Sequence, residues 1–250
     1  MEPLLKGVKI WKKFGEFAAV KELDFEIFPG EVFGIAGPNG AGKSTLFNVI
    51  SGVPYSASSG KILFLGKEIQ RLKPDRIFRL GIARTFQIPT LFPTLTYFEN
   101  TKVGAVFGNP GVRAQGRIHK PDATQLADAA LRLVGLEAKR DVLARDSSLF
   151  DMKRLMIASA LSAKPKLLLL DEPIGGLNES ETDETIALIR RISKEGLTVV
   201  LIEHVMRALL TVSQRIMMLH HGEKIAEGPP SQIARDPIVV EAYLGQEYQL

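Results

Sequence analysis

The sequence predicts an α/β protein with a parallel sheet in its last third, strands with one buried face in its first third and helical stretches in the middle. Three observations carry this reading. Leu167–Leu170, Thr198–Ile202 and Ile216–Leu219 are continuous apolar runs, the pattern of strands covered on both faces. The amphipathic Thr182–Ser193 between the first two gives a β-α-β rhythm. The first third instead alternates apolar and polar residues, in Val8-Lys9-Ile10-Trp11 and in Leu23–Phe28, as strands with one buried face do.

In order, Pro29-Gly30 is a turn, and Glu31–Ala36 is a short apolar strand running straight into Gly37–Ser44. Thr45–Ile50 has helical character, and Lys61–Leu65 reads as a strand after the turn-rich Ser56–Gly60. Pro89, Pro93, Pro110 and Pro121 break up the middle, and Gly104–Gly116 is expected to be loop. Asp122 is a plausible N-cap for a helix whose apolar residues run from Ala123 to Val134 and which Gly135 closes. Ser148–Ser162 is a second helical stretch.

With 250 residues the chain suits one large domain or two joined subdomains. A 45% hydrophobic and 24% charged composition excludes disorder. A net charge of +4 fits phosphate ligands or an anionic membrane surface and is too weak to indicate nucleic acid. The lack of cysteine excludes disulfides, thiolate zinc sites and cysteine nucleophiles, and a reducing cytosol is the expected compartment. No apolar run approaches the ~20 residues of a membrane span. Lys6, Lys9, Lys12 and Lys13 are followed by no apolar segment, so no signal peptide is expected.

Gly37-Pro38-Asn39-Gly40-Ala41-Gly42-Lys43-Ser44 satisfies G-x-x-x-x-G-K-[ST] in full, between a predicted strand and a predicted helix. Its glycines let backbone N–H groups wrap phosphates, Lys43 adds a mobile positive charge, and the Ser44 hydroxyl can ligate Mg²⁺. The second signal is Leu167–Leu170 followed by Asp171-Glu172-Pro173, a buried strand ending in two carboxylates. Asp171 can hold the Mg²⁺ shell, and Glu172 can act as general base on an attacking water.

These two segments resemble the Walker A and Walker B motifs of an ABC-type ATPase, and the resemblance extends over essentially the whole chain. It implies a P-loop NTPase core with an antiparallel β lobe over residues 1–87 and 164–250, and a helical subdomain over 88–163. It implies ATP and Mg²⁺ as ligands, with Gly37 through Ser44 and Thr45 on the nucleotide. Phe86-Gln87 resembles the Q-loop, with Gln87 at Mg²⁺ and facing a transmembrane partner. Gly175–Asn178 resembles the D-loop, His204 the switch histidine at the γ-phosphate, and Phe14 the aromatic residue placed against adenine. Arg84–Pro89, Leu95–Asn100, Asp171–Asn178, Ile202-Glu203-His204 and Glu241–Gly245 resemble the ATPase subunits for branched-chain amino acid uptake, a branch whose relatives also serve urea or short amides.

One motif departs from the family. The signature position reads Ser147-Ser148-Leu149-Phe150-Asp151, so Phe150 stands where a glycine offers its N–H to the partner's γ-phosphate, and Asp151 replaces a glutamine. The expectation is that the Phe150 ring fills the phosphate's approach and that Asp151 places negative charge near a triphosphate. The resemblance implies head-to-tail pairing with a second ABC ATPase subunit. The departure favours a heterodimer, with a homodimer as the alternative. It further implies two transmembrane permease subunits, an indirectly acting solute-binding protein, no nucleic acid, and a peripheral place on the cytoplasmic face of the inner membrane. A soluble ABC ATPase acting on ribosomes or DNA, and a largely non-catalytic regulatory subunit, are the rival readings.

Overall fold

The computed structural model describes residues 1–108 and 122–247, with side chains as far as Ala242. In chain order β1 (Leu5–Phe14), β2 (Phe17–Ile27), β3 (Val32–Ala36), α1 (Lys43–Ser51), β4 (Ser59–Phe64), β5 (Lys67–Glu68) and α2 (Pro74–Leu80) come first. Next are β6 (Ile82–Arg84), α3 (Tyr97–Gly108), α4 (Ala123–Leu133), α5 (Leu149–Ser162) and β7 (Leu167–Asp171). α6 (Glu179–Lys194), β8 (Thr198–Ile202), α7 (Met206–Val212), β9 (Arg215–His220), β10 (Glu223–Gly228), α8 (Pro230–Ile233) and α9 (Pro237–Glu247) follow.

Contacts divide the chain into two compact units, residues 1–77 with 189–250, and residues 78–188. In the first, β2, β1, β4 and β5 form an antiparallel sheet in that order. A second sheet has β3 parallel to both β8 and β9, with β10 antiparallel to β9. In the second unit β6 runs parallel to β7, and α3, α4 and α5 pack together. These three helices lie within the 88–163 stretch expected to be helical, and the unit also takes in β6 and β7.

Burial explains which strands the sequence announces. β3, β7 and β8 are buried at every position, which requires their unbroken apolar runs. Burying each leucine of Leu167–Leu170 is worth roughly 1.5–3 kcal/mol, so the carboxylates that end β7 hang from a firmly held strand. β10 reads Glu223-Lys224-Ile225-Ala226-Glu227-Gly228, nowhere fully buried, and so carries no apolar signal.

The expected loop at Gly104–Gly116 is corrected in its first part. Gly104–Gly108 is the end of α3, while 109–116, Pro110 and Pro121 lie outside the described residues. The glycines are there for close packing. A Cβ at Gly104 would run into the Ser159 carbonyl of α5, and one at Gly108 into Ala163. Ser162 Oγ, donating to Thr101 O at 2.7 Å, closes the same seam. α4 begins as expected at Asp122, whose N–H donates to Gln125 Oε1 at 3.3 Å, and Gly135 follows its end at φ 72°.

Candidate active site

In the first unit, β3 delivers the chain into the glycine-rich loop and α1 leaves it. Gly42 is the N-cap of α1 at φ 102°, and Gly37 sits at φ 146°. Added Cβ atoms would strike the Leu219 carbonyl oxygen at Gly37 and the Ala19 carbonyl oxygen at Gly42, so both positions need glycine for room as well as for backbone angle. Lys43 is 5% exposed, and its Nζ donates to Gly37 O at 2.6 Å and Pro38 O at 2.9 Å. The ammonium is thus held over the loop. Asn39, Gly40 and Ser44 are exposed, and the first turn of α1 has no acidic residue to compete for its N–H groups. This is a cradle for an anion of phosphate size.

Phe14 is 45% exposed at the end of β1. Its ring stands edge-on to Tyr55, with centroids 5.0 Å apart, and Lys12 Nζ lies 4.9 Å from the Phe14 ring and 4.3 Å from that of Tyr55. Tyr55 OH accepts from Asn48 Nδ2 of α1 at 2.8 Å, which ties the aromatic pair to the helix that starts in the phosphate loop. Lys12 and Tyr55 gather at Phe14, Asn48 is bonded to Tyr55, and none of the three has a local sequence signal. His204 follows β8, is exposed, and donates its backbone N–H to the buried Glu203 carboxylate at 3.2 Å.

In the second unit, the β6–β7 pairing places Arg84 and Gln87 beside the two carboxylates. Arg84 Nη2 meets Asp171 Oδ2 at 2.8 Å, with the side chains only 7% and 5% exposed. Gln87 Nε2 donates to Glu172 Oε2 at 2.6 Å, and Lys153 Nζ donates to the Glu172 carbonyl at 2.7 Å. Glu172 itself has φ 49°, an uncommon conformation for a residue with a side chain. Asn178 and Glu181 cap α6 reciprocally, Glu181 N–H to Asn178 Oδ1 at 2.9 Å and Asn178 N–H to Glu181 Oε2 at 3.0 Å. The sequence points to Gln87, Asp171 and Glu172. Arg84 as the partner of Asp171 emerges only from the strand pairing.

The signature position is the N-terminus of α5. Ser148 is the N-cap, its Oγ accepting the Asp151 N–H at 3.1 Å, and Leu149 is 42% exposed. Phe150 is 8% exposed, with its ring 4.0 Å from the Arg154 guanidinium. The Asp151 carboxylate is buried and takes Lys139 Nζ at 2.5 Å and Arg154 Nη2 at 2.5 Å. Burial alone raises the Asp151 carboxyl, but hydrogen bonds and charge from Lys139 and Arg154 win and hold it below the ordinary aspartate range. The expected ring in the phosphate's path and net negative charge at this turn are both corrected. The ring packs inward, and one carboxylate is matched by two cations.

A glycine loop between a buried strand and a helix, with a lysine curled over it, defines a P-loop nucleotide-binding protein of the α/β class. Residues 20–175 match the family described as ABC transporter, and residues 223–249 match branched-chain amino acid ATP-binding cassette transporter. The chain belongs to the ABC transporter family, as an ATPase subunit. It is 34% identical to the high-affinity branched-chain amino acid transport ATP-binding protein LivG of Escherichia coli K12, over 98% of this chain and 99% of LivG. It is 35% identical to BraF, of the same description, from Pseudomonas aeruginosa, over 98% of both chains. The ADP conformation of MJ1267, an ATP-binding cassette of an ABC transporter, superposes with a TM-score of 0.86 at 31% identity, over 98% of this chain and 100% of that one.

Proposed function

We propose that this chain hydrolyses ATP to drive the import of branched-chain amino acids or a similar small polar solute. The Gly37–Ser44 cradle, with Lys43 held over it, carries the reading for ATP. The full-length likeness to LivG and BraF supports the solute class. In this reading the loop N–H groups and Lys43 bind the phosphates, Phe14 meets adenine, and Glu172 takes the proton of the attacking water. His204 positions the γ-phosphate. Mg²⁺ would be held by Ser44, Gln87 and Asp171, whose hydroxyl, amide and carboxylate oxygens suit a hard cation, and when bound it offsets charge on the phosphate oxygens. Lys43→Ala is expected to weaken ATP binding about 100-fold, the worth of two charge-assisted hydrogen bonds. The circular dichroism spectrum should be unchanged. Wild-type affinity in that variant would remove the nucleotide assignment.

The partners are proposed to be two permease subunits, reached from the cytoplasmic face, and a second ATPase subunit, in a heterodimer or a homodimer. Among the described residues no helix is long and apolar enough to cross a membrane. Ile88 at 77% and Phe92 at 56% exposure give the Ile88–Asn100 segment an apolar surface suited to a short partner helix. Cysteines placed singly at the exposed Thr90 and Thr94 are expected to crosslink to cysteines in the permease's cytoplasmic loops, against a native chain that has none. Crosslinks confined to other faces of the ATPase would reassign the contact.

A further inference from the structure

The β9–β10 hairpin does more than close a sheet edge. His220 pairs with Glu223, so the turn is the two residues His221 and Gly222, at φ 49° and 83°. Positive φ at both turn residues is the conformation of a two-residue type I′ hairpin turn. Here both backbone groups of Gly222 are used outward. Its N–H donates to Ala41 O, inside the phosphate loop, at 3.0 Å, and its carbonyl accepts the Lys21 N–H of β2 at 2.8 Å.

Three backbones therefore meet behind the loop, with almost no side chain between them. A Cβ on Gly222 would lie 2.9 Å from Ala19 O and 3.3 Å from Val20 Cα. A Cβ on Gly42 would strike the same Ala19 oxygen and come within 3.5 Å of the Gly222 Cα. On the other side of the seam, the Leu219 carbonyl fills the space a side chain on Gly37 would need. The loop is backed by β2 and by the hairpin, and Gly222 sets their spacing.

We propose that Gly222 is a positioning residue for the phosphate loop, fixing the aim of the Ala41–Lys43 backbone through the Gly222–Ala41 hydrogen bond. This rests on the reading of Gly37–Ser44 as the phosphate site. A methyl group at Gly222 must push Ala19 or the turn away by about half an ångström to reach an ordinary contact distance, and the Ala41 carbonyl moves with it. Loss of one hydrogen bond from a displaced loop N–H to a charged phosphate oxygen is worth about tenfold at the low end, and about that loss of affinity is expected.

The test compares two glycines of like strain. Gly66 has φ 73° in the turn between β4 and β5, and a Cβ there meets nothing within 4 Å. Gly222→Ala and Gly66→Ala share the left-handed penalty, and only the first disturbs the seam. By equilibrium binding of Mg·ADP to the full chain, Gly222→Ala is expected to bind about tenfold more weakly and Gly66→Ala as the wild type does. Equal affinities in both variants, with equal losses in melting temperature, would overturn the proposal. If Gly222→Ala does not fold, hydrogen exchange on the wild type decides. Reciprocity requires Mg·ADP to slow exchange of the Gly222 amide, and an unchanged rate refutes the coupling. A Lys43→Ala variant that binds Mg·ADP with wild-type affinity would instead remove the phosphate-site reading, and this proposal with it.

Discussion

Replacing Glu172 by Gln is expected to lower ATP turnover in the assembled transporter by about 10²–10⁴-fold while ATP still binds. The substitution keeps size and hydrogen-bonding capacity and removes only the ability to take a proton. The Gln87 amide can donate to the introduced side-chain amide oxygen much as it donates to the Glu172 carboxylate at 2.6 Å, and the Lys153 contact is to the backbone carbonyl. A general loosening of the site is therefore not expected, and the loss should fall on kcat with the binding constant for ATP little changed. His204→Ala is expected to give a loss no larger, because in the proposed reading His204 positions the γ-phosphate and accepts no proton. Steady-state turnover and nucleotide binding measured on the same preparations separate these effects. Wild-type kcat in Glu172→Gln would assign the proton to another group.

What the sequence made legible follows from where the information is local. β7 and β8 are buried on both faces over their whole length, so their apolar runs alone locate them, and Asp171 and Glu172 follow at the end of the first. The phosphate loop is legible because its glycines, Lys43 and Ser44 act together over eight consecutive positions. α3 was harder. Its Gly104 and Gly108 carry the ordinary composition of a loop, and their use as flat contacts for α5 depends on a helix distant in sequence. The same limit hides Arg84 as the partner of Asp171, Tyr55 beside Phe14, and the three-backbone seam at Gly222. At the signature turn the sequence identifies the residues but not their surroundings. A phenylalanine and an aspartate replacing small and neutral residues read as obstruction and repulsion until Arg154 and Lys139 are placed against them.

Those surroundings reverse one expected result. In the absence of its partners, Asp151→Gln would relieve repulsion at a neighbouring triphosphate and raise ATPase activity. With the carboxylate buried between Lys139 and Arg154, Asp151→Asn or Asp151→Gln is expected instead to destabilise the fold and to give no gain in turnover. Removing one member of a buried charge cluster leaves the others without their counter-charge, at a cost of about 3–5 kcal/mol. Lys139 is 51% exposed and can turn to water, so the cost here is expected at the lower end of that range, about 3 kcal/mol. The pH dependence has a definite sign. The carboxyl titrates lower in the folded chain than its ordinary value, so its contribution is complete above the unfolded aspartate range. It fades as pH falls through the depressed folded value. Denaturant unfolding of the wild type and Asp151→Asn should therefore differ most at neutral pH and converge in acid. A stability gap that is absent at neutral pH, or that widens on acidification, would mean that the two cations do not hold this carboxylate in solution.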